Sequence, residues 1–449
     1  MRLDLLDKYD LRLPRYTSYP TAPHFTEAVN GETYGRWLGE MDPATELSLY
    51  LHISYCAEMC FFCGCHTSIT KQYKPVAVYL ETLLKELDLV AHALPGRMTA
   101  RHIHFGGGSP TILKAADFVR LVDRLRANFA VLDKAEIAVE LDPRTADEAY
   151  VEAMARSGVT RASIGVQDFN AAVQKAINRI QPFEVTERVI TWLRKHGVPE
   201  VNMDLVYGLP LQTTASMVET VEKAVAFKPK RLTLFGYAHV PWMKKHMRLI
   251  KDEELPDAAE RWRQYEACHA VLAAAGYVQI GLDHFAAPDD EMAIALKDNT
   301  LHRNFQGYTT DTASVLLGFG ASGIGSLPQG YVANEGGIHA YQRMIEEGRL
   351  ATVRGVAVSA EDCLRREIIE RLMCDLHVDL DAIAERHGVS GSAFEAELAA
   401  LEPMEKDGML KRTGRSIEML DDGRALVRVA CAVFDTYLKR GEKRHSQAV

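Results

Sequence analysis

The chain has no stretch approaching the eighteen or so consecutive apolar residues that a membrane helix requires, so no insertion into a membrane is expected. It has no excess of positive charge. Its 52 Lys and Arg stand against 61 Asp and Glu, a net charge of −9, which argues against nucleic acid as a partner and leaves room for a local basic pocket. Solenoid-period repeats and low-complexity tracts are absent, which excludes repeat architectures. Met1 to Arg15 carries Asp4, Asp7 and Asp10 and no continuous apolar run, so it does not read as a secretory signal, and a cytoplasmic protein is expected. Cysteine is scarce, eight in 449 residues, and in a reducing compartment these are not expected to form a disulfide framework. What remains is a globular composition, 47% hydrophobic and 25% charged. A chain of this size buries roughly three quarters of its unfolded surface, with one domain of about 250–300 residues and a smaller one.

From Leu47 onward, short apolar or β-branched runs alternate with helical patterns. The strand candidates are Leu47–Ile53, His102–Phe105, Ile137–Leu141, Ala162–Val166, Val201–Val206 and Leu232–Tyr237. Between them, segments such as Val76–Leu94, Ala116–Phe129 and Glu184–His196 repeat apolar residues every three or four positions. This predicts an α/β fold with a parallel sheet and helices outside it. Polar residues end the strands: Glu140 and Asp142, Gln167 and Asp168, Asp204, His239. In a barrel such ends converge on one mouth, so a partial, three-quarter TIM-like (βα)6 barrel is the preferred reading. Val278–Phe285 and the glycine-rich Leu317–Ile324 would extend or close its wall. A boundary is expected near Leu350–Ser359, where Ser359 and Asp362 form a helix-start pattern. The expected division is an arm over 1–46, a catalytic barrel over 47–350, and a smaller, mostly helical, winged-helix-like unit over 351–449. That last unit has helices at 360–375, 379–387 and 392–403, a hairpin at 408–420 and a helix from Arg424 to Lys439. With 14 basic and 18 acidic residues over 359–449, packing or covering is expected of it rather than DNA reading.

Cys56, Cys60, Cys63 and Cys65 crowd into ten residues directly after the first strand candidate. Four thiolates can bind zinc or form a redox dithiol, but structural zinc usually takes two separated pairs. Three thiolates in one compact loop can instead hold a four-iron cluster with one iron open. Cys268, Cys363, Cys374 and Cys431 sit in helical patterns as ordinary packing residues. Gly106-Gly107-Gly108-Ser109-Pro110-Thr111 ends the second strand and lacks the Lys-Ser/Thr of a phosphate loop. His102 and His104 alternate on one strand with no third ligand in sight, which favours structural histidines.

The C-x3-C-x2-C spacing, with Phe62 before the third cysteine, resembles the radical S-adenosylmethionine (SAM) superfamily. Further stretches make nearly the whole chain similar to the oxygen-independent coproporphyrinogen III oxidase family. They are Tyr16–Ala22 (YTSYPTA), Leu141–Arg144 (LDPR), Gly165–Phe169 (GVQDF), Asn202–Pro210 (NMDLVYGLP), Tyr237–His239 (YAH), His302–Thr310 (HRNFQGYTT) and Cys431–Tyr437 (CAVFDTY). The resemblance implies a [4Fe–4S] cluster on Cys56, Cys60 and Cys63, and two molecules of SAM. Tyr50, Gly107, Glu140 and Ile324 would contact the SAM at the cluster; Phe62, Gly108, Ser109, Gln167, Arg179, Asp204 and Ala238 would contact the second. It implies oxidative decarboxylation of two propionates of coproporphyrinogen III to vinyls by a 5′-deoxyadenosyl radical, in porphyrin and haem biosynthesis. The electron would come from a protein such as flavodoxin or ferredoxin, and the enzyme is expected to be a monomer.

Candidate cationic partners for the substrate carboxylates are the Arg15–Thr21 stretch, Arg144 and Arg303. Ser54-Tyr55, Ser109 and Met247 depart from the family pattern at places where Pro-Phe, Thr and Gln are expected. The rival readings are a haem-binding chaperone, whose relatives typically lack the cysteine at the Cys65 position, and a radical SAM methyltransferase or haem-opening enzyme of similar architecture.

Overall fold

The computed structural model describes residues 5, 8–9, 11–390 and 393–438. Asp4, Asp7 and Asp10, residue 392 and Lys439 lie outside the described residues.

Strands β1 (Leu47–Ile53), β2 (Thr99–Gly107), β3 (Ala130–Leu141), β4 (Arg161–Gln167), β5 (Glu200–Tyr207) and β6 (Arg231–Gly236) follow one another in space and pair in parallel. Each is followed by helix, as in Tyr73–Ala93 after β1 and Ala115–Asn128 after β2. The apolar stripe of the first helix, Leu80, Leu83, Leu87 and Val90, is buried against Leu49, Leu51 and Ile103 in one core. Burial of one such side chain stabilises by about 1.5–3 kcal/mol. The expected strands are all present: Leu47–Ile53 has the expected bounds, the sixth is shifted by one residue to Arg231–Gly236, and the other four are longer where pairing outruns the apolar run.

Both edges of this sheet are extended. Beyond β6 lie β7 (Val278–Ile280) and β8 (His284–Ala286), an antiparallel hairpin in which β8 pairs with β6. The single strand expected over Val278–Phe285 is therefore broken at Gly281, whose φ of +55° turns the chain back. Beyond β1 lie β9 (Val315–Phe319), parallel to β1, then β10 (Ile324–Leu327), β11 (Gly330–Asn334) and β12 (Thr352–Ala357), all antiparallel. The order β12-β11-β10-β9-β1-β2-β3-β4-β5-β6-β8-β7 leaves two edges, so the wall curves without closing.

After β12 the chain enters helix Ala360–Asp375, started by reciprocal bonds between Ser359 and Asp362. Helices Leu380–Arg386 and Glu395–Lys406 and a small sheet of β13 (His377–Asp379), β14 (Leu410–Thr413) and β15 (Ser416–Met419) follow. The helix expected from Arg424 is instead a 3-10 turn, Asp421–Leu426, and a short helix, Val427–Val433. It stops where Asp435 accepts from the Tyr437 N–H (2.9 Å) and from the Tyr16 hydroxyl (3.1 Å). Leu5, Tyr9, Leu13, Tyr16 and Tyr19 of the N-terminal arm share one apolar cluster with Ile368, Leu372, Val427 and Phe434. The arm thus ties the end of the chain to its beginning.

Candidate functional site

The cysteine loop leaves the carboxyl end of β1 and is held by contacts from distant elements. Phe61 N–H donates to the Ile177 carbonyl (2.9 Å), Lys244 Nζ to the Cys65 carbonyl (3.1 Å) and His246 Nε2 to the Cys63 carbonyl (2.8 Å). Every one of the three candidate ligand sulfurs accepts a hydrogen bond. Thr67 Oγ1 donates to Cys56 (3.3 Å), Arg144 Nη2 and Arg179 Nη1 to Cys60 (3.4 and 3.5 Å), and Cys65 N–H to Cys63 (3.4 Å). Burial pushes the Cys56 thiol up to about 11, and Cys63 and Cys60 add to the shift, so the sulfurs share one neighbourhood. Cys65, opposed by burial but helped by the charges of His246 and Lys244, draws the Cys63 thiol below its ordinary range. Among the described residues no three His, Cys, Asp or Glu side chains converge on a single ion. Three thiol donors in one loop, spread wider than one ion, fit an iron–sulfur cluster that keeps one iron open.

Asp142, at the end of β3, binds this loop to the barrel. It receives Arg144 Nη2 (2.6 Å) and Arg179 Nη1 (3.3 Å), the same guanidinium groups that reach Cys60. Burial works against its ionised form, but Arg179 and then Arg144 hold the carboxyl below the usual range. Arg179 is buried, donates Nη2 to the Gly165 carbonyl (2.7 Å), and keeps a buried Nε with no partner. Arg144, expected at a substrate carboxylate, is instead turned to Asp142 and Cys60. The reason is local: Asp142 and Arg144 flank one proline, and the turn lets both the Arg144 N–H (3.1 Å) and its side chain reach the same carboxylate.

A row of polar side chains crosses the inner face of β1 to β5. Tyr50 stacks on His104 at 5.8 Å and shares a hydrogen bond with His52 Nδ1 (3.1 Å). His104 Nε2 pairs with Glu140 Oε1 (3.0 Å), whose other oxygen accepts the Gly107 N–H (3.3 Å). Farther along, Ser163 Oγ donates to Asp204 (3.1 Å). Burial and then the Glu140 charge push the Asp204 carboxyl up. His102 pairs likewise with Glu136 (3.0 Å), in keeping with structural histidines.

The glycine turn needs its glycines. At Gly107, φ is +105° and a Cβ would lie 2.7 Å from the His52 ring; at Gly108 it would lie 2.6 Å from the Tyr55 carbonyl. Ser109 donates its N–H to that carbonyl (2.9 Å), and its hydroxyl bonds Thr111 (2.8 Å). Gln167 ends β4 at φ +70°. Phe62 packs with the Val173, Ile177 and Tyr237 cluster, and Ile324 with Phe25 and Tyr331 at the start of β10. The structure therefore groups Tyr50, Gly107 and Glu140 closely, and sets Ile324 across β9 from them. Of the departures, Ser54 and Tyr55 both pack on Tyr79 (3.0 Å between hydroxyls; rings at 5.7 Å), and Met247 is buried, its sulfur accepting the Val240 N–H (3.4 Å).

Ala238 belongs to a cavity at the carboxyl ends of β5 and β6, which is also lined by Arg12, Arg15, Arg261, Arg303 and Arg428. Arg15 and Arg303 were expected at substrate carboxylates. Arg12, Arg261 and Arg428 carry no linear signal, because they come from segments hundreds of residues apart. His52, under the glycine turn, carries no sequence signal of its own. Asp142 is read from the sequence as a strand-end group at the mouth but with no role there, and Arg144 two residues on is the available clue.

Residues 50–224 match the radical SAM superfamily, and residues 358–426 match the HemN C-terminal domain. Enzymes of that superfamily use a [4Fe–4S] cluster and SAM. The chain is 51% identical, over all of both chains, to an oxygen-independent coproporphyrinogen III oxidase of Bradyrhizobium diazoefficiens. It is 42% identical, over 99% of this chain and 98% of the relative, to the anaerobic coproporphyrinogen III oxidase 1 of Cereibacter sphaeroides. Among solved structures, it is similar to the radical SAM coproporphyrinogen III oxidase HemN from Escherichia coli, with a TM-score of 0.92 and 37% identity over 97% of this chain and 99% of that one. With relatives this similar over their whole length, the chain belongs to the oxygen-independent coproporphyrinogen III oxidase family of radical SAM enzymes.

Proposed function

We propose that the chain converts two propionates of coproporphyrinogen III to vinyl groups, giving protoporphyrinogen IX, with loss of carbon dioxide and without oxygen. The observation that carries this is the meeting, at one barrel mouth, of a three-thiol loop, a glycine turn and a row of carboxylates, in a chain 51% identical throughout to a relative named for that activity. When bound, the cluster and SAM supply one-electron cleavage of the sulfonium and a carbon-centred radical able to remove hydrogen from a propionate.

The chain's own groups bind and orient. Cys56, Cys60 and Cys63 hold the cluster. Glu140, fixed by His104, accepts from a ribose hydroxyl of the first SAM, beside Tyr50, Gly107 and Ile324. Asp204 accepts likewise from a second SAM, and Arg179 offers its free Nε to that molecule's carboxylate. Phe62, Gly108, Ser109, Gln167 and Ala238 complete the second site. An electron-donor protein such as flavodoxin or ferredoxin supplies the electron, and the enzyme acts as a cytoplasmic monomer. Functionally the chain divides into an arm over 1–46, the catalytic barrel over 47–350, and a covering unit over 351–449. The packing of arm residues with helix Ala360–Asp375 supports treating the two outer units as one cover.

The test is anaerobic reconstitution with iron and sulfide, then incubation with SAM, a reductant and coproporphyrinogen III. Vinyl product, methionine and 5′-deoxyadenosine are expected. Stoichiometric haem binding with no decarboxylation would replace this reading with the chaperone.

A further inference from the structure

The helix that follows β1, Tyr73–Ala93, carries a carboxylate on its apolar face. Glu86 lies between Leu83 and Leu87 of that face and is as buried as they are, with 2% of its surface exposed. Its three hydrogen-bond partners are neutral donors. The Gly320 N–H (2.6 Å) and the Tyr341 hydroxyl (2.7 Å) meet one oxygen, and Asn334 Nδ2 (2.7 Å) meets the other. Burial pushes the carboxyl up to about 7 against those bonds. A core that keeps an ionisable group on neutral donors gives up stability that an apolar residue would have supplied.

What the carboxylate holds is a turn. Gly320 follows β9, and Asn334 Nδ2, besides meeting Glu86, donates to the Gly320 carbonyl (3.0 Å). Tyr79, two helical turns before Glu86 on the same face, holds the next residue. Its hydroxyl accepts the Ala321 N–H (3.0 Å), donates to the His52 carbonyl (2.7 Å) and is bonded to Ser54 Oγ (3.0 Å). The turn also presses directly on β1. Gly320 has a φ of +91°, and a Cβ there would lie 2.5 Å from the His52 carbonyl oxygen.

This clamp joins two walls of one site. On one side the turn runs into Ile324 at the start of β10; on the other, His52 and Ser54 run into Cys56. Ser54 stands where the family pattern has proline, and its hydroxyl adds a bond that proline could not make.

We infer that Glu86 and Tyr79 are positioning residues for the first SAM, fixing the Gly320–Ile324 turn against the segment that leads into the cysteine loop. Both are buried in the core and act through the backbone of that turn, keeping Ile324 and Cys56 at a set separation. This rests on the first SAM site proposed above and adds to it the residues that hold its walls together.

The experiment follows the electron paramagnetic resonance signal of the reduced cluster in the anaerobically reconstituted full chain, titrated with SAM. Iron content and melting temperature are read on the same samples. Tyr79→Phe and Glu86→Gln keep the shape of the side chain, so each should load iron as wild type does. Tyr79→Phe should weaken SAM binding roughly 10-fold and Glu86→Gln roughly 3- to 10-fold. In 5′-deoxyadenosine formation the loss should fall on the KM for SAM rather than on kcat. Tyr277→Phe is the control. It loses a hydroxyl bond of 2.7 Å to the Pro229 carbonyl, ahead of β6, and should lower the melting temperature without moving the SAM titration.

Wild-type SAM affinity in both iron-loaded variants would overturn the inference, and so would an equal loss in Tyr277→Phe. If Glu86→Gln does not fold, Tyr79→Phe alone decides. Failure of both to load iron would also overturn it, assigning the clamp to cluster assembly instead. The titration needs no tetrapyrrole. Wild type that binds SAM but leaves coproporphyrinogen III unaltered would therefore overturn the proposed function and leave the positioning role standing.

Discussion

The cysteine end and the arginine end of the barrel mouth use the same residue types in opposite ways. Beside Cys60, two arginines share one carboxylate, Asp142, and the nearby Glu140 is held by His104. Below the arm, Asp283 is the carboxylate among the described cavity-lining residues, which also include Arg12, Arg15, Arg261, Arg303 and Arg428, and the buried Nε and Nη1 of Arg303 have no acceptors. The first region pairs most of its charge internally, leaving Arg179 Nε as a buried donor open to a ligand, and can hold cofactors in fixed geometry. The second holds Arg303 by the Tyr308 ring and one long contact, with two of its donors unpaired. Mutation should therefore cost more stability at the first end than at the second.

The largest effect is expected at the cysteine loop. Cys60→Ala removes one of three sulfurs and should abolish cluster assembly and SAM cleavage, read as iron content and 5′-deoxyadenosine; Cys65→Ala should keep the cluster while slowing turnover. Asp142→Asn comes next. It leaves buried Arg179 and half-buried Arg144 together without their counter-charge and should destabilise the fold by about 3–5 kcal/mol, measured by denaturant titration. Gly107→Ala forces a side chain into the His52 ring at positive φ, and a cost of about 1–3 kcal/mol with loss of SAM cleavage is expected.

The effect should be smallest at the arginine end. Arg303→Gln removes a guanidinium whose buried Nε and Nη1 have no acceptors, and a change in stability within about 1 kcal/mol is expected in the same denaturant titration. A loss as large as that of Asp142→Asn would break the comparison.

Linear motifs carried the cysteine end well. Cys56 to Cys65, Gly106 to Thr111 and the strand-end carboxylates are each encoded within a few residues, so spacing and periodicity placed them, and the six parallel strands came with them. The arginine end was legible only in part. Arg303 lay in a recognised stretch, but Arg12, Arg261 and Arg428 meet it through tertiary packing that no local pattern encodes. The same packing ended the last helix at Val433, where Tyr16 claims Asp435, although the apolar spacing would carry it on. Arg144 misled for the converse reason: a charge that is free in a sequence is claimed by Asp142 two residues away in the fold.

The most direct test is product analysis of the reconstituted enzyme, by mass spectrometry, after anaerobic incubation with coproporphyrinogen III, SAM and a reductant. The account requires loss of two carbon dioxide molecules and four hydrogen atoms from the tetrapyrrole, with methionine and 5′-deoxyadenosine formed alongside. SAM cleavage with the tetrapyrrole unaltered would contradict it.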